Sequence, residues 1–244
     1  MLRKNARAQS TTEACALLSP ARLDLIICDE ASISGEVVLL RYGGRLVAGE
    51  DTSAALSLPP LPIYTRETLG AARFFMTVIL RGQEHLTYPL AYPEPDGEFF
   101  GYDTVRVPEW YPPGTERGVK ELVTTATRMA RALLALEAGR YCGSKGGSVA
   151  AYREAIGGEW GDLLADLYVN GKLRWGYSIP TPPDERRLLR DLCARMLAFE
   201  HHFLARYHTY LLELLRAGDA AEQAHARATL TLIHFPGAEP PAAP

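Results

Sequence analysis

The chain has 244 residues, of which 47% are hydrophobic and 23% charged, with a formal net charge of −3. At roughly 100–200 residues per domain this is one or two globular domains. The composition excludes a disordered chain, which lacks the apolar residues to offset the entropy of ordering, and a binder that holds nucleic acid by overall positive charge.

Only four of the 26 basic residues are Lys (Lys4, Lys120, Lys145 and Lys172), which reads as the codon bias of a GC-rich genome. No apolar run approaches the ~20 residues that cross a bilayer. The first residues carry a basic flank with no apolar stretch behind it, unlike a secretory signal. Cys15, Cys28, Cys142 and Cys193 are far apart and suggest neither a zinc site nor a disulfide framework. These features predict a cytoplasmic protein with no membrane partner.

In chain order, residues 5–18 are predicted helical and end at Pro20. Arg22 to Asp29 reads as a buried strand, short and rich in Ile. Ile33, Val37, Leu40 and Tyr42 predict a helix over 31–42, stopped by Gly43-Gly44. A short strand is expected near Leu46-Val47, and a rigid connector over Leu58 to Pro62. Thr65 and Thr68 are expected to open a helix over 66–82.

Residues 85–113 alternate Tyr88, Tyr92, Phe99, Phe100, Tyr102, Trp110 and Tyr111 with Pro, Gly and Asp. They predict a hairpin or an irregular flap around Pro95-Asp96-Gly97, either stacking on a planar ligand or covering a seam. Pro112-Pro113-Gly114 suggests a boundary between a domain at 1–112 and a helical domain at 113–235, with a disordered tail over 236–244. A fragment from Glu116 onward is then expected to fold alone. Helices are predicted over 118–138, 148–156, 161–169, from Asp184 as cap to about Leu215, and over 219–233.

The helical part carries Thr124-x-x-Thr127-Arg128, then Leu133 to Gly139, then Gly143-Ser144-Lys145, and later Leu192 to Leu204. This text resembles the C-terminal helical domain of aminoglycoside-adenylyltransferase-like nucleotidyltransferases, which is similar to the HEPN four-helix bundle. Leu23 to Ser32 followed by Leu40 to Asp51 resembles the last part of a minimal nucleotidyltransferase domain. The resemblance implies an α+β fold: a reduced nucleotidyltransferase-like α/β part plus a C-terminal helical, HEPN-like bundle. It implies AMP transfer from ATP to a small polar acceptor, with Mg²⁺ and ATP as cofactors, and it places Asp24 on a catalytic carboxylate that binds the metal. The family's Gly-Ser turn followed by Asp-x-Asp is missing before Asp24. The expectation is therefore a degenerate or truncated member with weak or no catalysis.

Two further candidates follow. Ser144 and Lys145 precede Gly146-Gly147 and are expected to bind a ligand, as a backbone nest plus an amine facing a phosphate or acidic group. The HEPN likeness implies an alternative, a fused nucleotidyltransferase–HEPN toxin–antitoxin-like protein acting on RNA, its Arg and His converging across the groove of a homodimer. Its ribonuclease pattern, an Arg and a His with four to six residues between them, matches Arg195 with either His201 or His202. The competing expectation for this helix is a scaffold with Leu192, Met196, Phe199 and Phe203 on one buried stripe.

Overall fold

A computed structural model describes residues 37–46, 50–51, 53–104 and 118–236. The expected helix at 5–18, the strand at 22–29 with Asp24, Val47, the proline boundary at 112–114 and the tail from 237 lie outside these residues. Among the described residues the protein is mostly helical, with one two-stranded sheet. No helix among them is long and apolar enough to cross a membrane.

Helix α1 (Val37–Gly43) ends at the predicted glycines, and Leu46 is not in a strand. Helix α2 (Leu61–Phe74) starts four residues before the expected Thr65. Pro60 stands at its N-cap and Pro62 within its first turn, where a missing N–H leaves no bond unmade. The prolines read as a connector thus start the helix. Thr68 instead turns its hydroxyl onto the carbonyls of Tyr64 and Thr65. A π-helical turn, Phe75–Ile79, continues α2 toward Gly82.

Helix α3 (Lys120–Ala138) ends as predicted, with Gly139 in the left-handed region at φ 62°. Helix α4 (Lys145–Ala155) begins three residues earlier than expected, because Ser144 caps it by accepting from the Gly147 amide. Helix α5 (Gly158–Asp166) runs on into a π-helical stretch, Leu167–Arg174. Helix α6 (Pro183–Ala217) has Pro182, not Asp184, at its N-cap. Asp184 sits inside the first turn, where its charge complements the helix dipole. Helix α7 (Ala220–Leu232) opens with a capping box between Asp219 and Glu222.

The aromatic segment is an irregular flap, not a hairpin. Its strand β1 (Leu86–Thr87) pairs in parallel with β2 (Ile233–His234), after α7. Turns over 93–103 are held by the Gly97 amide to the Glu94 carbonyl and the Glu94 amide to the Phe100 carbonyl. Phe99 and Tyr102 are buried, and Tyr92 stacks on Phe100 at 4.2 Å. Arg186 pairs with Glu98, and the Arg190 guanidinium lies 4.2 Å over the Phe100 ring. The flap residues described here pack into the protein.

One core joins α2, the flap, α3, α4, α5, α6 and α7. Leu69, Met76 and Leu80 from the first part share it with Leu122, Met129 and Leu133 from α3. The expected split at 112/113 falls outside the described residues, and the core spans it. The stripe on α6 is buried as its spacing predicts: Leu192, Met196, Phe199 and Phe203 are all at most 1% exposed.

The same stripe carries Glu200, fully buried. Its carboxylate accepts two hydrogen bonds from Arg81, at 3.0 and 2.5 Å, and one from the Tyr102 hydroxyl at 2.8 Å. Arg81 also donates to the carbonyls of Met76 and Ala91. Burial opposes the Arg81 charge, and the Glu200 carboxylate outweighs it, holding the guanidinium pKa above its ordinary value. Burial, with Glu200 beside it, pushes the Tyr102 phenol well up.

Two outcomes are expected. Glu200→Ala strands a buried guanidinium and destabilises by about 3–5 kcal/mol, and Phe199→Ala by about 3–5 kcal/mol through the cavity it leaves; urea unfolding of the full chain measures both. A fragment from Glu116 onward loses Leu69, Met76, Leu80, Phe99 and Tyr102 from its core. It is expected to lack a cooperative thermal transition by circular dichroism, and a sharp transition would show that 118–236 folds alone.

Candidate functional site

A cleft of about 740 Å³ opens between α1, α2, α3, the start of α4 and the π-helical stretch after α5. Its roof is made by close contact. Tyr64 on α2 donates to the Cys142 carbonyl at 3.0 Å and accepts from the Cys142 amide at 3.1 Å. Tyr141 donates to the Pro59 carbonyl at 2.6 Å. The backbone of Gly143 passes so near α1 that a Cβ there would lie 2.6 Å from the Gly43 nitrogen. Only glycine at this crossing lets the two chains meet.

Cations dominate the polar lining: Arg128, Arg131, Lys145 and Lys172 against the single carboxylate of Glu67. Lys145 is the first residue of α4, so the capped helix start aims its ammonium inward. Its Nζ donates to Thr124 Oγ1 at 2.6 Å, and to the Tyr177 hydroxyl at 3.5 Å, the outer limit of a hydrogen bond. Both partners are neutral hydroxyls. Thr124 itself donates to the Lys120 carbonyl, so its oxygen is oriented to accept. Burial pushes the Lys145 amine down to about 8; Glu121 opposes the shift, and Lys120, Lys172 and Arg128 add to it.

Two lysine–tyrosine pairs face the cleft. The Lys145 Nζ is 5.1 Å from the Tyr177 ring centre, and the Lys172 Nζ is 5.2 Å from that of Tyr168. Tyr168 rests over Gly146, where a Cβ would lie 2.7 Å from its hydroxyl. Tyr177 has φ 69°, a conformation that L-residues rarely take. Its amide donates to the Gly171 carbonyl at 2.7 Å, and its carbonyl accepts from the Val119 amide at 2.8 Å. Such strain collects at functional sites, as do π-helical turns, and here both occur on one wall. Arg128 lies 4.0 Å over the Phe75 ring. Arg131 Nε is buried with no hydrogen-bond partner among the described residues.

Of the residues singled out from the sequence, Ser144 and Lys145 line this cleft. The Ser144 hydroxyl is engaged as the α4 cap, and the Lys145 amine reaches the cleft. Asp24 lies outside the described residues. Arg195 pairs with Asp166 of α5 at 3.4 Å. His202 stacks on Trp160 of α5 at 5.4 Å, and burial lowers its pKa. His201 faces away from α5, with Nε2 3.1 Å from the Leu90 carbonyl. Arg195 and His202 thus share a face against α5, and His201 meets the flap.

Sequence reasoning missed Arg131, Lys172, Tyr168 and Tyr177. Arg128 and Thr124 stood in the quoted motif but were not assigned to a site. The legible signal was the scarcity of lysine: in a chain that otherwise uses Arg, Lys145 and Lys172 line one cleft and Lys120 lies near enough to act on the Lys145 charge. Among the described residues no group of three or more His, Cys, Asp or Glu side chains is placed to hold a metal ion.

Comparison with protein-family models, with curated proteins and with solved structures finds no match.

The lowered Lys145 amine sets a pH dependence. Its folded value, about 8, lies below the ordinary 10.5. Its contribution to stability is therefore full above 10.5 and is lost as pH falls through about 8. Lys145→Met, which removes the charge, is expected to melt higher than the wild type near pH 7, with the gap narrowing between pH 8 and 10.5. Thermal melts at stepped pH check this; an equal gap at every pH would show that the ammonium is well solvated.

Proposed function

We propose that the protein is nucleotidyltransferase-like and that this cleft binds the polyphosphate of a nucleotide such as ATP. The observation that carries the reading is the surplus of cations, Arg128, Arg131, Lys145 and Lys172 around one Glu67. A phosphate chain supplies the negative charge that this lining lacks, and charge-assisted hydrogen bonds from Lys and Arg are the strong kind. Tyr168 and Tyr177 offer ring faces and hydroxyls within the same cleft. The start of α4 adds its dipole in the same direction.

The sequence likeness favours a nucleotide over other phosphates, and a small polar molecule as the acceptor in the family's reaction. A carboxylate set for Mg²⁺ is not found among the described residues, so phosphate charge is met here by Lys and Arg. The 244 residues contain no Asp-x-Asp sequence, and the proposal is accordingly a protein that binds ATP and transfers AMP weakly or not at all.

Calorimetric titration with ATP tests the reading. Lys145→Ala and Arg131→Ala are each expected to weaken ATP by about tenfold to a hundredfold, the worth of one hydrogen bond to a charged group. Binding between pH 7.5 and 9 is expected to take up protons, because phosphate favours the charged form of Lys145; titrations in buffers of different ionisation enthalpy measure this. Incubation with labelled ATP, Mg²⁺ and streptomycin or kanamycin is expected to give no AMP-modified product. Absence of ATP binding, or binding indifferent to both variants, would overturn the proposal.

A further inference from the structure

The cleft holds more than an anion site requires. Guanidinium groups bind phosphate in a bidentate manner and never lose their charge, and this chain uses Arg for nearly all its cations. Lys145 departs from that usage at the helix start that aims into the cleft. Its Nζ contacts Thr124 Oγ1 and the Tyr177 hydroxyl, and no carboxylate forms an ion pair with it among the described residues. This half-buried amine, hydrogen-bonded to neutral hydroxyls, with Lys120, Lys172 and Arg128 near it and Glu121 opposing them, gives up its proton more readily than a solvated lysine.

We propose that Lys145 forms a reversible Schiff base with the carbonyl carbon of a phosphorylated aldehyde bound in the cleft. The inference rests on the reading of the cleft as a phosphate site. Arg131 and Lys172 meet the phosphoryl group, and the aromatic faces of Tyr168 and Tyr177 flank the carbon skeleton. The Nζ lone pair attacks the carbonyl carbon, the C–N bond forms, and the carbonyl π pair moves to oxygen. A proton passes from nitrogen to that oxygen, giving a carbinolamine. Protonation of its hydroxyl and loss of water leave the imine. The nitrogen gives up both its original protons to the departing water, and no oxidant or reductant takes part. The Tyr177 hydroxyl, 3.5 Å from Nζ, is the nearest phenol to carry the proton.

The groups that act on Lys145 come from three sides. Glu121, Lys120 and Arg128 stand on α3. Lys172 and Tyr177 belong to the π-helical stretch and the loop after it. Glu67 on α2 and Arg131 on α3 complete the cleft lining. With its amine near 8 instead of 10.5, Lys145 holds about 300-fold more neutral amine at pH 7 than a solvated lysine.

The test uses pyridoxal 5′-phosphate on the full chain, with borohydride reduction and peptide mass spectrometry. The four lysines make the comparison complete within one molecule. Lys145 is expected to be labelled more than about tenfold faster than Lys4, Lys120 or Lys172, following its larger neutral fraction. Labelling should rise with pH through about 8, fall when inorganic phosphate competes, and fall again when pyridoxal replaces the phosphorylated probe. Lys145→Arg, checked for folding by circular dichroism, should lose the imine absorbance. If that variant misfolds, the labelling pattern of the wild-type chain decides alone. Equal labelling of the four lysines, or labelling that pyridoxal matches, overturns the proposal. ATP titration of the same preparation separates the two readings. ATP binding without Lys145 labelling removes the Schiff base and leaves the nucleotide site. Labelling at Lys145 without ATP binding keeps the imine and removes the nucleotide.

Discussion

The buried Arg81–Glu200 pair is the constraint on which the rest depends. Glu200 lies at the middle of α6, and its two carboxylate oxygens are fully taken up by Arg81 and Tyr102. Arg81 follows the π-helical turn of α2 and reaches the Met76 and Ala91 carbonyls as well. Four segments of different sequence position are therefore tied at one point: the end of α2, the chain near Ala91, the flap at Tyr102, and α6. A buried ion pair adds little net stability, because desolvation of both charges offsets their attraction. Its effect is on arrangement. Any packing that separates the partners leaves a charge in the core, which disfavours arrangements that draw the segment after α2 away from α6.

Helix α2 packs directly against α3, and the cleft opens beside that contact. The near wall is α3 with Thr124, Arg128 and Arg131, and the roof is the Gly43–Gly143 crossing locked by Tyr64. The far wall is less regular. A π-helical stretch and a tyrosine at positive φ are both unfavourable locally, and each is held by tertiary contacts. Tyr177 is anchored through both its amide and its carbonyl, to Gly171 and to Val119 at the start of α3. A Cβ at Gly171 would lie 2.6 Å from Val123, so the stretch approaches α3 more closely than any larger residue permits. The rigid core thus supports a wall whose residues could not hold their positions alone.

Aromatic flap residues and α6 histidines show how the same chemistry serves packing. Phe99 and Tyr102 are spent on the core, and the Phe235 ring covers His208 at 3.9 Å while β2 pairs with the flap. Arg195 and His202, on one face as their spacing of seven requires, meet Asp166 and Trp160. What distinguishes the cleft from these clusters is the surplus of charge. Elsewhere Arg186 pairs with Glu98, Arg174 with Glu185 and Arg206 with Glu137, whereas the cleft lining brings Arg128, Arg131, Lys145 and Lys172 together with Glu67.

Local patterns in the sequence determined most of the helical half. Gly139 ends α3 because only a left-handed residue closes that turn, and Gly43 ends α1 where the glycine pair stands. The α6 stripe was legible from its spacing of three and four, and Glu200 falls on that stripe, so its burial could have been read from the same periodicity. The cap at Ser144 before a glycine-rich helix start was legible because capping is local, and the structure puts Ser144 and Lys145 on the cleft lining. The start of α2 was misread, since prolines suit a first helical turn as well as a connector. Only the tertiary structure decided that β1 pairs with β2, some 145 residues away, that Arg81 is Glu200's partner, and that Lys172, Tyr177 and Arg131 join Lys145. The physical reason is range: caps, stripes and turns are set by neighbours a few residues apart, whereas partner choice is set by which buried charges and close backbone crossings can be satisfied together.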